Sequence, residues 1–235
     1  MLSIIIPTLN EEKYLPRLLE SIKKQSFSDY EIIVSDGNSQ DKTREIATAG
    51  ACLFITSDKR LPAHQRNEGA RQAKGDVFLF LDADTVLPDN FLKNVYSEFK
   101  KRNLAAAGFY LKFDSRHWLY LAYNSVYSLL CFFGQYFKPA SVGVGIIARP
   151  EFHRAISGFD ETVFIGEDYD YTTRINKLGK FRMLNSSFIY FSPRRLEKEG
   201  YFRVIRKWIK ASLYFIFKGP IRKKIVEYEF GNFGK

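Results

Sequence analysis

A chain of 235 residues, 46% hydrophobic and 26% charged, has material for a core in one large domain, or in one domain with an appendage. Its two cysteines, Cys52 and Cys131, lie far apart, which excludes a thiolate metal site or a C-x-x-C redox motif and points to a reduced, cytosolic setting. The formal charge of +10 is uneven: residues 191–235 hold twelve Lys or Arg against four Glu, so this tail suits an anionic partner such as a membrane surface, a nucleic acid or a phosphorylated ligand.

The first half alternates strand and helix signals. "LSIII" is a short β-rich run, too short for the apolar region of a signal peptide, and none is predicted. "NEEKYLPRLLESIKKQ" follows as a helix with Leu15, Leu18, Leu19 and Ile22 on one face, Asn10 as its N-cap and Glu11 and Glu12 at its positive end. "YEIIVSD" is a second strand, and "GNSQDKTREIATAG" a turn and a helix stopped by Gly50. "CLFITS" is a third strand, "AHQRNEGARQAKG" a helix again stopped by a glycine, and "DVFLFLD" a fourth strand. "PDNFLKNVYSEFKKR" is a helix with Pro88 near its start. This order predicts an α/β fold with a mostly parallel, doubly wound sheet. Ligands of such sheets sit at the carboxyl ends of the strands, where Thr8, Asp36 and the pair Asp82 and Asp84 all fall.

In the second half, "NLAAAGFYLKF" reads as another strand. Residues 118–137 carry no charge and are long enough to raise a transmembrane helix, but four tyrosines, Asn124 and Gln135 dilute the apolar character. An amphipathic helix is expected instead. Trp118, Ala122, Val126, Leu129 and Phe133 share its apolar face, set against the core or lipid, and Tyr120, Asn124 and Tyr127 lie opposite. "SVGVGIIARPEF" is a strand into a turn, and "EDYDYTTRINKLG" a helix closed by Gly179. In "YFRVIRKWIKASLYFIFK", Arg203, Arg206, Lys207 and Lys210 share one face, and Val204, Ile205, Trp208, Ile209 and Phe215 cover the other. That pattern fits an interfacial helix or any basic surface helix.

Several residues bear chemistry. Asp82 and Asp84 end a buried run at the ligand edge, and oxygen ligands of this kind suit Mg²⁺ or Mn²⁺ shared with a ligand's phosphates. Asp36 is placed to accept hydrogen bonds from a nucleobase or ribose, while Ser39 and Asp41 serve the turn. Glu167, Asp168 and Asp170 crowd one helix start, more acids than a cap requires. The helix N-terminus is expected to keep Asp168 ionised and able to take a proton from an attacking hydroxyl, with Arg174 a structural partner. Arg194 and Arg195 form a guanidinium pair suited to a diphosphate.

Four segments, "SIIIPTLNEEKYLPRLLESI", "EIIVSDGNSQDKT", "NEGARQAKGDVFLFLDADT" and "GFDETVFIGEDYDYTTRINKLGK", occur in an order that resembles family 2 glycosyltransferases of the GT-A fold. The resemblance implies a Rossmann-like sheet flanked by helices in a catalytic domain over residues 1–193. Residues 1–103 would bind the nucleotide-sugar and 104–193 the acceptor, with a basic amphipathic helical tail over 194–235. It implies an inverting transferase with a UDP-, GDP- or dTDP-linked donor and a divalent cation. By residue, it puts Pro7, Thr8, Asn10 and Glu11 around the nucleotide and Asp36 on the base, with Arg66 and Asn67 near the donor. Asp82 and Asp84 then hold the metal and diphosphate, and Asp168, beside Glu167, is the base. No "QxxRW" motif follows, which argues against a polymer synthase. The acceptor is left open, with a lipid-linked one at the cytoplasmic face of a membrane among the options. A polyisoprenyl phosphate acceptor, already nucleophilic, would need no base. A non-catalytic nucleotide-sugar-binding protein is the other alternative. A dinucleotide dehydrogenase or a nucleotidylyltransferase would need glycines that "PTLNEE" lacks, and no nucleic-acid-reading motif is present.

Overall fold

The computed structural model describes residues 1–113, 118–137 and 144–222. The first half runs β1 (Leu2–Thr8), α1 (Leu15–Lys23), β2 (Tyr30–Asp36), α2 (Thr43–Ala49), β3 (Leu53–Thr56), α3 (Pro62–Gln72), β4 (Val77–Leu81), β5 (Thr85–Val86) and α4 (Phe91–Lys101). The second runs β6 (Ala106–Phe113), α5 (Trp118–Phe137), β7 (Gly145–Ala148), α6 (Pro150–Ala155), α7 (Glu167–Asn176), β8 (Phe181–Phe191), α8 (Arg194–Glu199) and α9 (Tyr201–Lys218). All strands join one sheet in the order β3-β2-β1-β4-β7-β6-β8-β5.

The first four strands are parallel, as expected. β7 then enters between β4 and β6 antiparallel to both, and β5 pairs antiparallel with β8, so the sheet as a whole is mixed. β1 and β4 are buried along their whole length, which explains why "LSIII" and "VFLFL" are continuous apolar runs rather than alternating ones. α3 lies tightly on β1: a Cβ at Gly69 would stand 2.5 Å from Ile5 Cγ2, so only glycine allows this approach.

Boundaries differ from expectation where proline or backbone geometry decides. α1 starts at Leu15 behind Tyr14, with Pro16 in its first turn. Asn10 is therefore not its cap; it takes a left-handed φ of 55°, and Glu11 and Glu12 lie outside the helix. Pro88 precedes α4, which begins after the left-handed Asn90. α3 ends at Gln72 on the extended Ala73, before Gly75 is reached. The expected turn at "RPEF" is the short helix α6, started by Pro150. β8 escaped the periodicity because its pairing with β6 slips after Phe109, so Asn185, Ser186 and Ser187 interrupt the alternation.

α5 is present, but of the two settings expected for its apolar face it does not take the core one. Tyr127, Cys131 and Gln135 are buried, while Val126, Leu129 and Phe133 are 59%, 58% and 55% exposed. Hydrogen bonds fix this orientation: Gln135 Oε1 accepts from Met183 N at 3.0 Å, and Asn124 Oδ1 accepts from Phe113 N at 3.4 Å. The side chains of Trp118 and Ala122 lie outside the described residues. In α9, Val204 and Phe215 turn inward with Trp208 beside them, whereas Ile209 faces out with Arg203, Arg206 and Lys210. Among the described residues, no helix is long and apolar enough to cross a membrane.

Candidate active site

The strand ends gather the expected acids. Thr8 and Asp36 are partners in the β1–β2 register, and Thr8 Oγ1 donates to Asp36 Oδ1 at 2.8 Å. Asp36 also accepts from the Ser39 amide at 2.7 Å and the Ser39 hydroxyl at 2.5 Å, so its buried carboxylate already braces the turn expected to need only Ser39 and Asp41. Pro7 is buried within β1, opposite Ser35. Asn10 ties the same loops together, its amide donating to Ser39 Oγ and its Oδ1 accepting from Gln40 N.

Past β4 the chain turns sharply, and β5 pins the turn to β8. The Asp82 amide donates to Val144 O, and the Asp84 carbonyl accepts from Ser192 N. The two aspartates are then held by two arginines from distant segments. Arg66 on α3 donates to Asp82 Oδ1 and to Glu167 Oε1, each at 2.7 Å. Arg194, at the start of α8, donates through Nε to Asp84 Oδ2 at 2.8 Å and through both terminal nitrogens to Glu11 at 2.8 and 2.9 Å. Arg66 and Arg194 thus stitch together residues far apart in the chain.

Asn67 and Arg195 are placed differently from expectation. Both ends of the Asn67 amide are spent on the chain before α7: Oδ1 accepts from Phe159 N at 2.8 Å, and Nδ2 donates to Phe159 O and Glu161. Asn67 therefore shapes the loop before α7. Arg195 reaches Glu199 one turn along α8, sharing that acid with Lys207, whereas Arg194 joins Asp84 and Glu11. Arg174 pairs with Asp170 at 2.6 Å, the structural role expected of it.

Below the acids lies an aromatic floor. Phe159 stacks on Tyr171 of α7 with centroids 3.9 Å apart, and Phe80 of β4 meets both edge-on. The Arg66 guanidinium lies over Phe159, 5.3 Å from its centroid. These contacts set the start of α7 against the end of β4. Gly166, with φ of 81°, makes the tight entry to that helix.

Electrostatics depart from expectation at Asp168. Burial, reinforced by the charge of Glu167, raises its carboxyl well above the usual range, although it accepts from the Tyr169 amide. The helix N-terminus does not keep it an ordinary ionised aspartate; desolvation wins. Burial likewise lifts Glu11 to about 7 against the pull of Arg194, and Asp82 to about 6 against that of Arg66. Among the described residues, five carboxyl groups (Glu11, Asp82, Asp84, Glu167, Asp168) face two guanidinium groups, an imbalance that a divalent cation would relieve. Asp82 and Asp84 stand together at this edge, and two carboxylates completed by ligand phosphates are a suitable Mg²⁺ or Mn²⁺ donor set.

The roles of Arg66 as a bridge and Arg194 as a clamp were not legible from spacing. One signal did exist. "HQRN" on α3 is a run of four polar residues, all buried, on a helix that sheet packing would make apolar.

Residues 3–155 match the family model described as glycosyl transferase family 2. The chain is 36% identical over 119 residues to the Methanococcus voltae dolichyl N-acetyl-alpha-D-glucosaminyl phosphate 3-beta-D-2,3-diacetamido-2,3-dideoxy-beta-D-glucuronosyltransferase, covering 46% of this chain and 37% of that one. It therefore spans well under half the length of this relative. Among solved structures it is similar to S. aureus TarS 1–349 in complex with UDP-GlcNAc, with a TM-score of 0.66 and 21% identity over 81% of this chain and 58% of that one. It is also similar to the mannosyltransferase PcManGT of Pyrobaculum calidifontis in complex with GDP-Man and Mn²⁺, with a TM-score of 0.70 and 20% identity over 80% of this chain and 56% of that one. These likenesses show the GT-A fold.

Proposed function

The chain belongs to glycosyl transferase family 2, and from that premise we propose that it moves a sugar from a nucleotide-sugar donor to an acceptor with inversion, in a divalent-cation-dependent reaction. One observation carries this reading: Arg66 joins Asp82 to Glu167, so the D-x-D end of β4 and the acidic start of α7 face one another. A donor diphosphate belongs on the first, and an acceptor nucleophile beside the second.

Asp82 and Asp84 would hold the cation, whose charge stabilises the departing nucleoside diphosphate. Thr8, Asn10 and Asp36 line the end of the sheet that receives the nucleotide. Arg194 is set to exchange its contact with Asp84 for the diphosphate. Asp168 takes the proton of an acceptor hydroxyl, which attacks the anomeric carbon from the face opposite the leaving group. Residues 1–103 serve the donor and 104–193 the acceptor.

The dolichyl phosphate in the name of the Methanococcus relative supports a lipid-linked acceptor. In a second reading the acceptor is itself a polyisoprenyl phosphate, already nucleophilic, and no base is needed; the raised Asp168 carboxyl suits a base working near neutral pH and so favours the hydroxyl acceptor. The free thiols of Cys52 and Cys131 agree with a cytoplasmic setting.

The test is donor hydrolysis and transfer with UDP-, GDP- and dTDP-sugars in Mn²⁺ and in EDTA, preceded by a thermal-shift panel of the same donors. Turnover that requires Mn²⁺ and falls about 100-fold in Asp82→Asn and Asp84→Asn supports the proposal. Turnover indifferent to EDTA removes the cation, and no shift or turnover with any donor removes the enzyme reading.

A further inference from the structure

We infer that the outward faces of α9 and α5 form a docking surface for an anionic lipid bilayer. On α9, Phe202, Ile209, Leu213 and Phe217 fall on one helical face and are 83%, 55%, 49% and 80% exposed. Arg203 and Lys210 are exposed along one flank of that stripe, and the exposed Arg206 lies within it. On α5, Leu130 (66% exposed) and Tyr136 (59%) extend the outward apolar face already described. Neither helix contains an acidic residue. Apolar side chains bordered by cations, on helices too polar to span, match a surface lying at the headgroup level.

The inner side of α9 is fixed to the site. Phe215 packs on Tyr169, the neighbour of Asp168, with centroids 5.4 Å apart. α9 joins α8, which carries Arg194, through the Lys207–Glu199 pair at 2.6 Å. At their N-terminal ends α5 and α9 meet, with Tyr120 and Tyr201 centroids 6.2 Å apart. α9 therefore carries the docking stripe on its outer side and packs against Tyr169, beside Asp168, on its inner side.

Charge selects the occupant. A second copy pairing through the same patch would bring Arg203, Arg206 and Lys210 against themselves with no acid on either helix. A nucleic acid would meet the cations but leave Leu129, Leu130 and Leu213 in water. Anionic lipid satisfies both.

The inference is read by flotation of the full chain with phosphatidylcholine vesicles, alone or with about 40% phosphatidylglycerol. Co-flotation is expected with the anionic vesicles and weakened by salt. Three variants test the face: Arg203→Glu/Arg206→Glu/Lys210→Glu, Phe202→Ser/Phe217→Ser, and Leu130→Ser/Phe133→Ser. Each should lower partitioning about tenfold or more, with unchanged circular dichroism and melting. No flotation by the parent, equal flotation with neutral vesicles, or partitioning unmoved by the variants overturns the inference. So does loss, in the same variants, of a concentration-dependent dimer seen by sedimentation in the lipid-free parent. No outcome depends on glycosyl transfer: donor-induced thermal shifts report the proposed function separately and should persist in all three variants.

Discussion

Arg194 and Asp84 are joined at 2.8 Å across 110 positions of chain, and the same guanidinium holds Glu11 with two further bonds. The three side chains are 15%, 9% and 11% exposed, so removing the cation strands two buried carboxyl groups. Arg194→Ala should lose about 3 kcal/mol in urea unfolding. Arg194→Lys should recover little, because an ammonium cannot reproduce the planar three-bond contact. If Arg194 also receives the diphosphate, kcat/KM for the donor falls in both variants while Mn²⁺ binding, measured calorimetrically, is retained.

Asp168 should set a pH limb. Its carboxyl is raised by burial and by Glu167, and a general base works only when ionised, so kcat rises with pH through a pKa above the ordinary aspartate range. With a hydroxyl acceptor, Asp168→Asn should cost about 10²–10⁴-fold in kcat and abolish that limb. With a polyisoprenyl phosphate acceptor it should leave most of the turnover. The pH profile of each variant separates the two.

His153 should govern acid stability. Its ring is buried against Phe78 and Phe80, with Nδ1 2.9 Å from the Tyr171 hydroxyl, and burial lowers its pKa to about 4. The unfolded chain takes up this proton near pH 6.5 and the folded chain only near 4. Stability is thus complete above 6.5 and declines as pH falls toward 4, by about 2–3 kcal/mol. His153→Phe should flatten that part of the stability–pH curve, followed by urea titrations at several pH values.

Gly69→Ala should destabilise the protein although alanine is the better helix former. The added Cβ would stand 2.5 Å from Ile5 Cγ2 on the fully buried β1. A cost of about 1–3 kcal/mol is expected from overpacking, against a propensity gain of about 1 kcal/mol, so the net loss in chemical denaturation should be modest.

The first-half elements were legible because parallel strands buried on both faces are unbroken apolar runs, as in "LSIII" and "VFLFL". The second half was less so. β7 has four residues, and β8 is interrupted where Asn185 and Ser186 give their amides to Glu98. The core side of α5 was not legible because Asn124 and Gln135 accept hydrogen bonds from the Phe113 and Met183 amides there, partners that no helical wheel contains. Asp82, Asp84, Glu167 and Asp168 were recoverable as acids at element ends. Which cations hold them was not, since Arg66 and Arg194 act across distant parts of the chain.

β7 has a consequence for dissecting the protein. It covers the flank of β4 from Phe78 to Leu81, strand residues no more than 2% exposed. A fragment stopping after α4 would leave that flank as a flat, bare apolar edge, a template for aggregation rather than a smaller nucleotide-binding unit. The backbone leading into Asp82 would be the first to misassociate. The acids at the end of β4 take shape only once chain made well after them has closed the sheet.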